Sequence, residues 1–324
     1  MAGTALLTVL VAWGVVANWF VHHPRPWLDA RCASWPRFVT APLLGLGNPL
    51  ADATDALGWT GHDAVYEYDT EAPAGSIAFA GLPVRVGAPA PADIITLTRG
   101  EFTIGWSPSL RHPVWCAYHV PVEARYPVVN RPPFSRDTQA AASPAAGVYA
   151  NTGYDRGHMV PNFAIASRFG PDAQRQTFKM SNVAPQMPAL NRGVWRDLEH
   201  RIAELWPARW GEIWVIVGAV SATTSRETLS GSDVDVPCQY YQVVVAQSGM
   251  DVRAFAVLFP QEISWSAYPT RYLITIDELE KITGLDFLPD LPQFIQSPLE
   301  AELPTRVWPI RARDLFRQIA IRFH

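Results

Sequence analysis

Apolar positions change spacing several times along this chain, and each change marks an element. Ile94-Ile95-Thr96-Leu97-Thr98, a glycine at position 100 and Phe102-Thr103-Ile104-Gly105-Trp106 predict a hairpin, with a further strand from Val114 to Val120. Ile213 to Val217 is an unbroken apolar run, predicted as a buried strand that ends at Gly218. Tyr240–Val245 and Val252–Phe259 predict a strand pair around Ser248-Gly249. Between these strands, apolar residues at 190, 194, 198, 202 and 205 keep helical spacing, so a helix starts near Leu190 and Pro207 closes it. A second helix from Asp277 to Thr283 ends at Gly284. Residues 127–153 hold several prolines and an Ala/Ser run, and a loop that long in a compact domain is usually functional or disordered. No internal repeat is evident. The pattern predicts an antiparallel α+β domain over residues 94–305.

The ends read differently. Residues 1–24 form a hydrophobic anchor or signal segment: Ala2 to Val21 carries no charge, and about twenty residues at ~1.5 Å each span a bilayer core. A cleaved signal peptide competes, with small residues near Val15-Val16-Ala17. No Lys or Arg precedes the apolar run, whereas Arg25, Arg31 and Arg37 follow it and by charge bias would keep the C-terminal side in the cytoplasm. Anchoring and export both stay open, with an extracytoplasmic location favoured. Residues 25–93 are a Pro/Gly/Ala-rich lead-in, and order is expected to begin near Ile94. Residues 306–324 alternate Arg with apolar positions, which suits a basic amphipathic tail or a packed terminal helix.

Composition narrows the class. Hydrophobic content of 48% with 13 Trp fills a substantial core, and 29 Pro with 21 Gly favour loops and short strands. A net charge of −4 excludes a chain coated in basic surface, so any site for a polyanion is a local patch of arginines with a metal. Cys32, Cys116 and Cys238 lack metal-ligand spacing, and buried thiols are expected.

The chemistry concentrates in two stretches, Tyr154-Asp155-Arg156-Gly157-His158 and Leu190-Asn191-Arg192-Gly193-Val194-Trp195-Arg196-Asp197-Leu198-Glu199. Phosphodiester hydrolysis needs a proton acceptor for water, and a histidine works near neutral pH. It needs positive charge for the phosphoryl oxygens, which a metal ion and Arg156 would provide. A single neutral ligand such as Asn191 leaves Mg²⁺ most of its waters and its full Lewis acidity. Asn191 is also suited to cap the helix, and both roles can hold together. Glu199 lies eight residues on, about 12 Å along a helix axis, so its place is on a water of the metal's shell. His200, beside it, is expected on an exposed face.

These stretches, with Ser181-Asn182-Val183-Ala184-Pro185-Gln186, resemble the DNA/RNA non-specific endonuclease family. Gly153, Thr177-Phe178, Val236-Pro237 and Thr283-Gly284-Leu285-Asp286-Phe287 add to the likeness, which covers residues 94–300. The resemblance implies a ββα-metal (His-Me finger) fold with a central antiparallel sheet and flanking helices. It implies Mg²⁺, with Mn²⁺ able to substitute, and cleavage of DNA and RNA to 5′-phosphate ends. Residue by residue it implies His158 as general base, Asn191 as the metal's protein ligand and Glu199 as the carboxylate behind the metal's waters. It implies Arg156 as a phosphate clamp, Asn182 close to the site and Arg111 as a further arginine near substrate. Many members carry an arginine where Ala203 stands, and Arg201 is the nearest substitute. The competing reading is a degenerate domain of the same fold that binds nucleic acid or a partner without cutting. Oligomeric state, a homodimer included, is not legible.

Overall fold

The structure, a computed structural model, describes residues 65–309 except 69–71, 73, 74 and 129. The expected N-terminal segment, most of the lead-in, Cys32 and the tail beyond residue 309 lie outside the described residues. Among the described residues, no helix is long and apolar enough to cross a membrane.

One antiparallel sheet organises the domain. Its strands are β1 (Tyr66–Glu67), β3 (Ile95–Thr98), β4 (Phe102–Ser107), β5 (His112–Val120), β8 (Glu212–Val220), β9 (Gln239–Ser248) and β10 (Asp251–Pro260). They run in the order β1-β10-β9-β8-β5-β4-β3, and β11 (Leu273–Ile274) also pairs with β10. The short strand β2 (Val84–Arg85) pairs separately with β12 (Leu285–Asp286). Both hairpins expected from the alternation are present, β3 with β4 and β9 with β10. The α+β architecture expected from the pattern is the one observed.

The central strands read as continuous apolar runs because both faces of the sheet are covered. Along β8, Ile213, Val215 and Val217 join one core. Trp214 and Ile216 join the other. The helices α1 (Asn162–Phe169) and α2 (Pro171–Thr177) contribute Ile165 and Ala173 to the first core. That core also packs under the helical segments near the site, through Leu190, Leu198 and Ile202. The second packs under α5 (Ile276–Thr283) and α6 (Gln293–Ala301), through Ile276, Leu279 and Ile295. The helix α5 follows helix-end rules closely: Thr275 accepts a bond from the Glu278 amide, and Gly284 closes the C-terminus in the left-handed region at φ 68°.

Four expectations fail, two of them for clear physical reasons. Gly218 does not end β8; a Cβ there would meet the Tyr241 ring and the Val114 carbonyl at 2.2 and 2.3 Å, so glycine is a packing requirement within the strand. Order begins before Ile94, because β1 and β2 pair by backbone bonds and Phe79 is buried in the second core, none of which needs a long apolar period. The helix after Leu190 is not uniform. The stretch Leu190–Trp195 kinks out of helical geometry at Gly193, Arg201–Leu205 winds with π spacing after α3 (Arg196–His200), and the run ends just before Pro207, as expected, where the short helix α4 (Pro207–Trp210) opens. Cys238 is an exposed thiol, contrary to expectation, while Cys116 is buried.

Candidate active site

A small hairpin carries the first motif. Asp155–His158 forms β6 and pairs with β7 (Val183–Gln186), with Gly157 opposite Ala184. Gly157 has to lack a side chain, since a Cβ would fall 2.1 Å from the Gln186 amide oxygen. Asn182 then fixes the backbone on the C-terminal side of His158. Its Oδ1 accepts from the Val160 amide and its Nδ2 donates to the Val160 carbonyl, both at 2.9 Å. Asn182 is fully buried, so it acts by holding the hairpin in shape.

His158 is held between two aromatic rings, Phe134 at 5.0 Å and Phe178 at 4.8 Å between centroids. Its Nε2 is buried with no protein partner. Burial, reinforced by the charge of Arg131, pushes its pKa down to about 3 in the absence of ligands, so the ring is neutral near pH 7. The loop supplying Phe134 and Arg131 is anchored: the Ser135 amide donates to the Phe178 carbonyl at 3.0 Å, and the Ser135 carbonyl accepts from the Met180 amide at 2.9 Å. Asp137, buried, accepts from Arg99 and the Ser181 hydroxyl. The long loop is therefore an ordered wall of the site.

Asn191 sits in the first turn of the helical stretch, and its side chain does not cap. Nδ2 donates to Asp155 at 2.9 Å. Arg192 reaches the same carboxylate through Nε at 2.7 Å and a second nitrogen. Burial opposes ionisation of Asp155, and the bonds from Arg192 and Asn191 outweigh it, holding the carboxyl below its usual range. With the nitrogen engaged, Asn191 Oδ1 is the amide atom left to act as a ligand. Trp195 Nε1 donates to Glu199 at 3.0 Å. Burial nonetheless raises the Glu199 pKa to about 8, against the lowering effects of Trp195, Arg131 and Arg196.

These groups share one open cavity of about 770 Å³, lined by His158, Asn191, Glu199 and Arg156. Three further arginines line it, Arg131, Arg192 and Arg196, which makes it a local basic patch on an acidic chain. Arg192 and Arg196 are four apart on one helical stretch, a signal present in the sequence. Arg131 lies in a loop without periodicity and had no such signal. Arg156 lies over the Phe134 ring at 5.1 Å.

Other candidates fall elsewhere. Arg111 is not among the cavity's lining residues and pairs with Asp233 at 2.7 Å. Arg201 cannot stand in for an arginine at 203, because it is fully buried beside Asp197 and over the Tyr268 ring. Ala203 does line the cavity. His200 is not exposed; its side chain is 8% accessible and lies 2.9 Å from Glu204. The acidic trio Asp277, Glu280 and Glu300 lies outside this cavity.

The model of the DNA/RNA non-specific endonuclease family matches residues 83–294. The chain belongs to that family. Its hairpin and following helix, set against the antiparallel sheet, form the ββα-metal fold. The chain is 31% identical over 165 residues to a nuclease of Nostoc sp., covering 48% of this chain and 58% of the relative. It is 26% identical over 241 residues to the mitochondrial endonuclease G of Bos taurus, covering 66% of this chain and 80% of that one. Against a mitochondrial nuclease EXOG of Xenopus laevis the match spans only 43% of the relative, so this chain covers about half the length of the first curated relatives it matches. A solved EndoG/EndoGI complex contains a chain of like fold, with TM-score 0.56 and 21% identity over 62% of this chain and 88% of that one.

Proposed function

We propose that this family member is a metal-dependent endonuclease that hydrolyses phosphodiester bonds of DNA and RNA and leaves 5′-phosphate ends. The observation that carries the reading is a neutral, half-buried His158 with a buried, partnerless Nε2, lining the same arginine-rich cavity as Asn191 and Glu199. The donor set suits a hard divalent cation: Asn191 Oδ1 is a neutral oxygen ligand, and the half-buried Glu199 carboxyl is costly to ionise until a cation balances it. Mg²⁺ is the expected ion, with Mn²⁺ a substitute. When bound, the metal would supply positive charge against the phosphoryl and departing 3′ oxygens.

The chain's own residues do the rest. His158 accepts the proton of the attacking water, and the flanking Phe134 and Phe178 rings fix its plane. Asp155 orients the Asn191 amide, and Arg192 holds Asp155. Arg131, Arg156 and Arg196 bind phosphate, which positions a strand without reading its bases. Residues 2–21 are proposed to anchor or export the domain to an extracytoplasmic location. Nicking of supercoiled plasmid in Mg²⁺, repeated in excess chelator, tests the proposal. Nicking that the chelator stops is expected. Nicking that survives chelation overturns the metal role, and binding without cutting in Mg²⁺ assigns the chain to a degenerate, non-cleaving form of the fold.

A further inference from the structure

Trp265 is 64% exposed, an unfavourable place for so large an apolar surface. The chain around it is tied down. Ile263 packs against the first core, and Ala267 and Tyr268 are buried. The Ser264 carbonyl accepts from the Ala267 amide at 3.0 Å, and the Ser264 hydroxyl accepts from the Ser266 amide at 3.2 Å. Arg271 donates to the Ser266 carbonyl at 3.4 Å. The indole thus stands at the tip of a hydrogen-bonded turn and is not the by-product of a loose loop.

That turn is registered to the cavity. Gln261 Oε1 accepts from the Met187 amide at 2.9 Å, and the Met187 carbonyl accepts from the Asn191 amide at 2.9 Å. The indole edge lies over Gly193, where a Cβ would stand 3.9 Å from Trp265 Cε3. Gly193 directly follows Asn191 and the 61% exposed Arg192. An exposed ring therefore stands over the residue next to Arg192, whose side chain lines a cavity suited to phosphate.

We infer that Trp265 is a stacking platform for one unpaired nucleobase of the bound strand, adjoining the phosphate held in the cavity. The inference rests on the nuclease reading and adds to it a subsite that recognises a base by its π-face. Stacking tolerates every base and is withheld from a base inside a duplex, so the platform favours single-stranded substrate.

The test measures affinity in the His158→Ala background, which binds without rapid cutting. Two short single-stranded oligonucleotides of equal phosphate number are compared by fluorescence anisotropy, one of thymidines and one abasic. Trp265→Ala should weaken binding of the thymidine strand by about 5- to 100-fold, as for loss of one base–aromatic stack. It should leave the abasic strand unchanged, and Trp265→Phe should keep most of the affinity. Equal affinities for Trp265→Ala and its parent on the thymidine strand overturn the platform and leave the indole to a protein or membrane contact. An equal loss on both strands overturns it as well, because the effect would then be on phosphate binding or folding. If the wild-type protein neither binds nor cuts either strand in Mg²⁺, the nuclease reading itself fails, an outcome distinct from the other two.

Discussion

The two faces of the central sheet bury apolar side chains alike but are finished by opposite rules. Under α5 the local choices agree with the fold: a Thr275 cap, a left-handed Gly284 and apolar residues at helical spacing over Leu279. On the other face the covering helix kinks at Gly193 before α3 and is wound wide after it. There His158 Nε2 is buried without a partner, and the Glu199 carboxyl is desolvated. Such defects cost stability, and these lie where a substrate and a cation would complete them. One face is built to stay folded, and the other is built to receive ligands.

The largest expected effect sharpens that division on the site face. His158→Ala should lower the nicking rate by about 10²- to 10⁴-fold while the thermal midpoint stays at or above that of the wild type, since a buried atom without a partner is removed. A fall in midpoint with little loss of rate would reverse the roles assigned to the faces.

The partition was only half legible in the sequence. The regular face was readable because α5 and the β9–β10 hairpin announce themselves by period, cap and turn, local properties carried by a few neighbouring residues. The motif residues His158, Asn191 and Glu199 were identifiable from two short stretches, yet their assembly depends on pairings such as Asn182 with Val160 that span twenty or more positions. Arg131 was invisible because a loop residue reaches a site through tertiary anchoring, here Ser135 and Asp137. Arg111 illustrates the converse: the family resemblance implied a place near substrate, but its guanidinium pairs with Asp233 outside the cavity.

On the regular face, Leu279→Ala should cost about 2–5 kcal/mol of stability by opening a cavity under α5. The nicking rate per folded molecule should be kept. Chemical denaturation read beside the nicking assay checks both, and a lost rate at full folding would mean that the two faces are coupled.

A pH series on the metal-free protein separates the two desolvated groups of the site. The His158 pKa, at about 3 when folded and near 6.5 in a free chain, makes stability rise with pH across that window, because the unfolded state binds the extra proton. The Glu199 pKa, at about 8 when folded and near 4.5 in a free chain, makes stability fall from pH 4.5 to 8, because the folded state holds the proton. The slopes of these two groups offset each other between pH 4.5 and 6.5, and from 6.5 to 8 Glu199 adds to the decline that Glu280 and Glu300, raised by burial to about 7 and about 8, also produce. Glu199→Gln should lessen that decline in urea unfolding midpoints, and an unchanged decline would remove Glu199 as one of its sources.

A smaller effect concerns substrate grip. Arg201 is sealed in the core and Ala203, though 2% exposed, borders the cavity, so Ala203→Arg, with its longer side chain emerging there, should add one phosphate contact. The slope of log affinity against log salt for duplex DNA in Ca²⁺ should steepen by about 0.9. The same slope in both proteins would show that side chains at 203 do not reach the substrate.

The measurement that bears most directly on a cation-completed site is the Mg²⁺ titration of nicking rate for the wild type and Asn191→Ala. Removal of the amide oxygen should raise the Mg²⁺ needed for half-maximal rate by about ten-fold or more and lower the plateau, with the fold unchanged by circular dichroism. Superimposable titrations would contradict the account, because the metal would then be held by something other than Asn191.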